Sequence, residues 1–323
     1  MIRIARLFAN PVDAAALAAG GFCLIAAAAG QGGRFSARLD ILNHFAPIWL
    51  LGAALAGLYG VILAAPGARP ILAGVGLVGI LASGALILPE LIRPIRPTVG
   101  DDAPGQIKLI QFNAWDRNAD VTATADWIAA QKPDLVLMQE VEAPIRQAMI
   151  QRGFNLMRGM GRSAIFSRLQ PVPGHYQIPH PDWKRLPSFS RAEFAGPGGD
   201  FSVFSVHIGW PVWRGQTVEL STLAEVLDHY PRDRILLTGD FNLTPWSFTL
   251  RRLDERLGLE RRDRALFSWP SRLAPTGRLT WPAAMLPIDH IYAGRAWRTV
   301  SLTCGPRLGS DHYPLVIRLA LVN

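Results

Sequence analysis

Five short apolar runs between residues 107 and 290 each end on a polar residue, and this punctuation is the strongest constraint on the fold. Residues 107–112 close on Asn113, residues 134–139 on Glu140, and residues 201–206 on His207. Residues 234–239 close on Asp240-Phe241-Asn242, and Pro287-Ile288 on Asp289-His290. A sixth element, Ser310-Asp311-His312, precedes a last apolar run, Leu315-Val316-Ile317. Runs this short, rich in β-branched residues and bounded by Gly, Pro or a polar residue, read as buried strands rather than helices. If their ends share one edge, carboxylates, amides and imidazoles meet there. Such a set suits a hard divalent cation, Mg²⁺ or Mn²⁺, together with a phosphate ester.

The first ninety residues read differently. Residues 14–30, 46–65 and 71–88 carry no charge, over lengths near the roughly 20 apolar residues that a helix needs to cross a bilayer. Asp13 and Glu90 sit at the margins, where a charge reaches the headgroups. Gly74, Gly76, Gly79 and Gly84 are poor choices for a soluble helix, whereas small residues let membrane helices approach closely. A cleaved signal peptide accounts for one such stretch and not for three. The chain therefore divides into a three-span membrane domain at 1–92, a linker at 93–105 marked by Pro94, Pro97 and Pro104, and a catalytic domain at 106–323. An odd number of spans puts the N-terminus and that domain on opposite faces. Arg3, Arg6 and Arg69 on one side against Arg34, Arg38, Arg93 and Arg96 on the other do not choose between orientations.

Residues 1–105 hold 7 of the 33 Lys and Arg and 5 of the 25 Asp and Glu, so the rest carries 26 basic and 20 acidic residues, a net of +6. That balance suits an anionic substrate or anionic headgroups, or is simply a solvated surface. Arg251-Arg252 and Arg261-Arg262, after the Asp240 loop, are candidates to flank a substrate. Two cysteines, Cys23 and Cys304, exclude a disulfide framework or a zinc cluster.

Glu140, at the end of a strand-like run, is the best candidate metal ligand. Asp240 and Asn242 lie two apart, so an extended segment points both side chains the same way. Taken alone, Gly239-Asp240 reads as a turn with Asp240 capping a helix. His207 and His312 are the imidazoles placed to meet a phosphate; His290 reads as packing. Trp210 and Trp213 suit stacking on a base, contact with a lipid interface, or ordinary loop packing.

The ordered set Gln139-Glu140, His207, Gly239-Asp240-Phe241-Asn242, Ile288-Asp289-His290-Ile291, Ser310-Asp311-His312 resembles the endonuclease/exonuclease/phosphatase superfamily over about residues 106–320. Thr280-Trp281-Pro282 and Pro287-Ile288-Asp289-His290 resemble its membrane-anchored bacterial branch. The resemblance implies the DNase I-like α/β fold, a four-layer α/β/β/α sandwich. It implies Glu140 as metal ligand with Asp311 in support, and Asp240 and Asn242 positioning water and phosphate with help from Asn113. It also implies His207 and His312 on the phosphate, with Asp289 orienting His312. Trp115, two residues after Asn113, stands where related nucleases carry an acid, which counts against a second metal.

The expected activity is hydrolysis of phosphodiesters, with nucleic acid as the substrate, or alternatively a phospholipid or inositol phosphate, and no obligate protein partner. The anchored relatives imply a bacterial inner membrane with the domain facing the periplasm. The reading from another class is a membrane scaffold whose active site is retired, and the intact polar set argues against it.

Overall fold

The structure, a computed structural model, describes residues 10–173, 183–212, 215–273 and 279–322. The chain forms two compact units: Met1–Arg93 with Thr244–Arg251, and Pro94–Leu243 with Arg252–Asn323.

The first unit is built on three helices long and apolar enough to cross a membrane. These are α1 (Pro11–Gly30), α3 (Ala46–Ile62) and α4 (Arg69–Leu91), with a single turn, α2 (Ala37–Asp40), between the first two. Asn10 caps α1 by accepting the Val12 amide at 3.0 Å. The helices touch through small residues: a Cβ on Gly76 would lie 2.4 Å from the Gly57 Cα, so only glycine permits the crossing of α3 and α4. Several buried polar groups inside the unit are paired. Tyr59 donates its hydroxyl to Asp13 at 2.7 Å. Asp40 accepts the amides of Phe248 and Thr249, each at 2.8 Å, and His44 Nδ1 accepts the Thr244 amide at 3.2 Å.

The second unit contains thirteen strands among the described residues. They are β1 (Gln106–Asn113), β2 (Leu135–Gln139), β3 (Asn155–Arg158), β4 (Ala164–Ser167), β5 (Ser188–Phe194), β6 (Phe201–His207) and β7 (Ile235–Asp240). Then follow β8 (Glu260–Arg261), β9 (Arg272–Leu273), β10 (Leu279–Thr280), β11 (Asp289–Ala293), β12 (Trp297–Cys304) and β13 (Leu315–Leu321). Six make one sheet in the order β12-β13-β1-β2-β4-β3, five make a second in the order β5-β6-β7-β11-β8, and β9 and β10 pair antiparallel in a two-stranded sheet. Each large sheet has one parallel pair at its centre, β1 with β2 and β6 with β7. A parallel pair needs a crossover, supplied by α5 (Val121–Ala130) and α7 (Gln216–Leu227).

Alternation along the strands builds the layers. Leu109, Leu135, Leu137, Val203, Leu236, Ile291 and Ile317 face inward and join the two sheets in one core. Ile110, Phe112, Val136 and Met138 face outward and pack on Ala125 and Ile128 of α5 and on Ile145 and Met149 of α6 (Ala143–Gln151). On the other sheet the Phe204 ring meets Tyr230, just beyond α7, with centroids 5.2 Å apart. This is the α/β architecture of two sheets clad by helices that the sequence implies. Pro94 onward belongs with the sheets, where the Val99 amide donates to the Thr299 carbonyl at 2.9 Å.

Candidate active site

Register explains why the polar residues meet. In the parallel pairs Asn113 lies beside Gln139 and His207 beside Asp240, so both centres end at the same level. Strand β11 runs antiparallel to β7, with Asp289 opposite Asp240. The Ser310 hydroxyl then ties the last loop to β1 by donating to the Asn113 carbonyl at 2.7 Å. The Ser310 hydroxyl oxygen in turn accepts the His312 amide at 2.9 Å.

Asp240 is the hub. Its Oδ2 accepts from Asn113 Nδ2 at 3.0 Å and lies 3.6 Å from Nε2 of both His207 and His312. Its Oδ1 accepts the Asn242 amide at 2.9 Å, closing a turn in which Asn242 has φ of 51°. That turn directs the Asn242 amide nitrogen to the Ile208 carbonyl at 2.9 Å and to within 3.4 Å of His207 Nε2. Asp289 Oδ2 accepts from His312 Nδ1 at 2.8 Å, which fixes the tautomer and aims Nε2 at Asp240.

Burial raises the Asp240 carboxyl, and the Asp289 charge adds to it, against the two histidines. Burial lowers His312, but Asp289 and Asp240 outweigh it and push the ring up to about 10. His312 is thus an imidazolium at neutral pH. Asp289 falls below the usual carboxylate range: burial raises it, and the charge and hydrogen bond of His312 more than reverse this.

Glu140 sits at φ of 53° directly after β2, which turns its side chain toward this cluster. It accepts from Asn113 Nδ2 at 3.2 Å and from the Asp116 amide at 3.1 Å, and lies 3.8 Å from His207 Nε2. Asp311 has one oxygen bound to Trp269 Nε1 at 3.0 Å. Its other oxygen, Oδ1, is buried and has no hydrogen-bond partner among the described residues. An orphaned carboxylate oxygen near a second carboxylate is what an oxygen-coordinating cation would satisfy. No group of three or more His, Cys, Asp or Glu side chains suited to a metal occurs among the described residues. The carboxylates of Glu140 and Asp311 are oxygen donors of the kind a hard divalent cation takes while keeping water and substrate oxygens, not a zinc cage.

All eight residues singled out from the sequence, Asn113, Glu140, His207, Asp240, Asn242, Asp289, Asp311 and His312, lie at this edge. Of the expected flanking arginines, Arg261 and Arg262 do not join them: both are buried, Arg261 against Asp254 at 3.1 Å. Arg251 groups with the helical unit. Trp210 is exposed with its ring 6.2 Å from Trp269, whereas Trp213 lies outside the described residues.

Beneath the site runs a buried relay that the sequence does not announce. Thr238 donates to Gln111 Oε1 at 2.8 Å, and Gln111 Nε2 donates to Asp289 at 3.2 Å. Gln139 Nε2 donates to Ser205 at 2.9 Å. The only hint is four polar residues at inward positions of strands otherwise apolar on that face. The Trp269 contact to Asp311 has no sequence signal, because 42 residues separate the two.

A model described as the Endonuclease/Exonuclease/phosphatase family matches residues 110–312, more than half of the chain. No curated protein matches. Solved structures similar to this one include an endonuclease/exonuclease/phosphatase from Beutenbergia cavernae, at 21% identity and TM-score 0.52, covering 68% of this chain and 72% of that one. D. rerio TDP2 with a single-strand DNA product gives 14% identity and TM-score 0.52, covering 66% and 98%. The Bacteroides thetaiotaomicron mannosyl-6-phosphatase gives 17% and 0.51, covering 67% and 100%. At such identities the likeness shows the fold and nothing finer.

Proposed function

The chain belongs to the endonuclease/exonuclease/phosphatase family, and on that premise we propose a membrane-anchored, Mg²⁺-dependent phosphoesterase that hydrolyses phosphodiesters by in-line attack of water. The observation that carries this reading is Asp240 Oδ2 held 3.6 Å from two imidazoles and 3.0 Å from the Asn113 amide nitrogen. A carboxyl raised by burial accepts a proton better than an ordinary carboxylate. Asp240 therefore takes the proton of the attacking water as its oxygen closes on phosphorus. His312, protonated at neutral pH, cannot act as the base and instead stabilises charge on the nonbridging oxygens. His207 and the Asn242 amide hold a further phosphate oxygen, and the leaving oxygen departs opposite the water. Glu140, supported by Asp311, would hold a divalent cation. Such an ion supplies Lewis-acid polarisation of the phosphoryl group.

Anchoring rests on the three apolar helices, whose outward faces carry Phe22, Ile25, Leu51, Leu55, Leu77 and Leu81. Apolar side chains turned out along helices of this length suit lipid. We place the helices in a bacterial inner membrane with the second unit on the periplasmic side.

Two substrate classes are in view, nucleic acid and phospholipid. Trp210 and Val212, 58% and 70% exposed close after His207, present an apolar edge that favours a lipid phosphoester. Protein purified in detergent, supplied with Mg²⁺ and tested on DNA, RNA, phospholipids and inositol phosphates decides the class. Activity on none of them would contradict the phosphoesterase reading.

A further inference from the structure

His290 follows Asp289 on β11, so its side chain leaves the opposite face of the sheet and never meets the phosphate site. It is fully buried there beside Phe241, with ring centroids 5.7 Å apart. Both ring nitrogens are engaged. Nδ1 lies 2.7 Å from Asp263 Oδ2, and Nε2 lies 2.8 Å from the Leu243 carbonyl oxygen.

A carbonyl oxygen carries no proton, so Nε2 must be the donor of that second bond. Asp263 anchors the other end of the ring. Its Oδ1 accepts the Ile291 amide at 2.9 Å, and its Oδ2 lies 3.4 Å from Arg261 Nη1. Burial works to raise the Asp263 carboxyl, but the His290 ring and Arg261 outweigh it and hold the group well below the usual carboxylate range. Asp254 closes the cluster, pairing with Arg261 at 3.1 Å and accepting the Tyr292 hydroxyl at 2.6 Å.

Leu243 is the residue after Asn242, in the turn that begins at Asp240. A side chain with φ above zero is held there at some cost. We propose that His290 is a positioning residue, anchored at Nδ1 by Asp263, whose Nε2–H grips the Leu243 carbonyl and so locks the Asp240–Asn242 turn in its reactive shape. A buried ring clamped at both nitrogens is suited to holding a strained turn. Without it, Asn242 can relax toward the right-handed region. Its side chain then leaves Ile208 and His207, and its amide leaves Asp240. This inference rests on the reading of Asp240 and Asn242 as catalytic residues.

The test compares His290→Asn with His290→Gln in the full chain in detergent. A Gln amide nitrogen reaches the place of Nε2 and keeps the bond to Leu243, whereas Asn keeps only the Asp263 side. The Asn variant should lose kcat on the order of 10²-fold per folded molecule, the cost of a displacement near 1 Å, with KM and metal affinity unchanged. The Gln variant should recover most of the loss. Equal turnover in the Asn variant and the wild type overturns the proposal, as do equal losses in the two variants.

If neither variant folds, wild-type protein labelled with ¹⁵N-histidine decides. A proton on Nε2, coupled across the hydrogen bond to the Leu243 carbonyl, is expected; a bare Nε2 overturns the proposal. A wild type with no phosphoesterase activity would instead sink the functional reading, and the positioning role with it.

Discussion

Asp289 and Asp263 are both buried carboxylates bonded to a histidine, yet only Asp289 serves the ring that faces the site. Asp289→Asn leaves the shape of the His312 contact and removes the charge that holds the ring protonated. Turnover should fall by on the order of 10²- to 10⁴-fold, the range of a positioned acid–base group, with little change in metal affinity. Unchanged turnover per folded molecule would contradict that role. Asp263 makes a stability prediction instead. Its folded carboxyl lies below the unfolded value of about 3.9, so its stabilisation is present above that pH and is lost as pH falls through the folded value. The Tm difference between wild type and Asp263→Asn should therefore shrink on acidification below about pH 4. A constant difference would show that Asp263 acts without its charge.

At the scale of the elements, strand spacing sets catalytic spacing. Strands β6 and β7 approach so closely at Gly239 that an added Cβ would stand 2.0 Å from the Val206 carbonyl oxygen. Gly239→Ala should push the strands apart beside Asp240, costing about 1–3 kcal/mol in denaturant unfolding as overpacking does, and lowering turnover in the folded fraction. Wild-type values of both would mean that the backbone there yields freely.

The strands were legible because a short apolar run with a polar terminus has few other uses in a two-sheet core. The Gly-Asp-Phe-Asn turn was legible because its order with the other elements is specific. What stayed hidden depends on distance along the chain. His290 reads as packing from its position, and its partner Asp263 lies 27 residues earlier. Gln111, Gln139 and Thr238 look like ordinary strand residues until register brings them together. Arg261 and Arg262 read as candidates to flank a substrate, yet both are buried.

At the scale of the molecule, the chain enters the helical unit twice. Thr244–Arg251 groups with the helices although its neighbours on both sides belong to the sheets. No composition boundary marks such an insertion. It is fixed by Asp40 and His44, polar residues in the segment between the first two apolar stretches. If three helices cross the membrane with the N-terminus inside, alkaline phosphatase fused to the C-terminus should be active in a Gram-negative host. A green fluorescent protein fusion exported by the same route should be dark, and the reverse pattern would invert the topology.

The central claim is metal-dependent phosphoester hydrolysis through Glu140. Its most direct test measures hydrolysis by purified full-length protein and by Glu140→Ala while Mg²⁺ is removed with EDTA and then returned. The account predicts that EDTA abolishes activity, that Mg²⁺ or Mn²⁺ restores it in the wild type, and that the folded Glu140→Ala protein stays inactive. Full activity of that variant in excess chelator would contradict it.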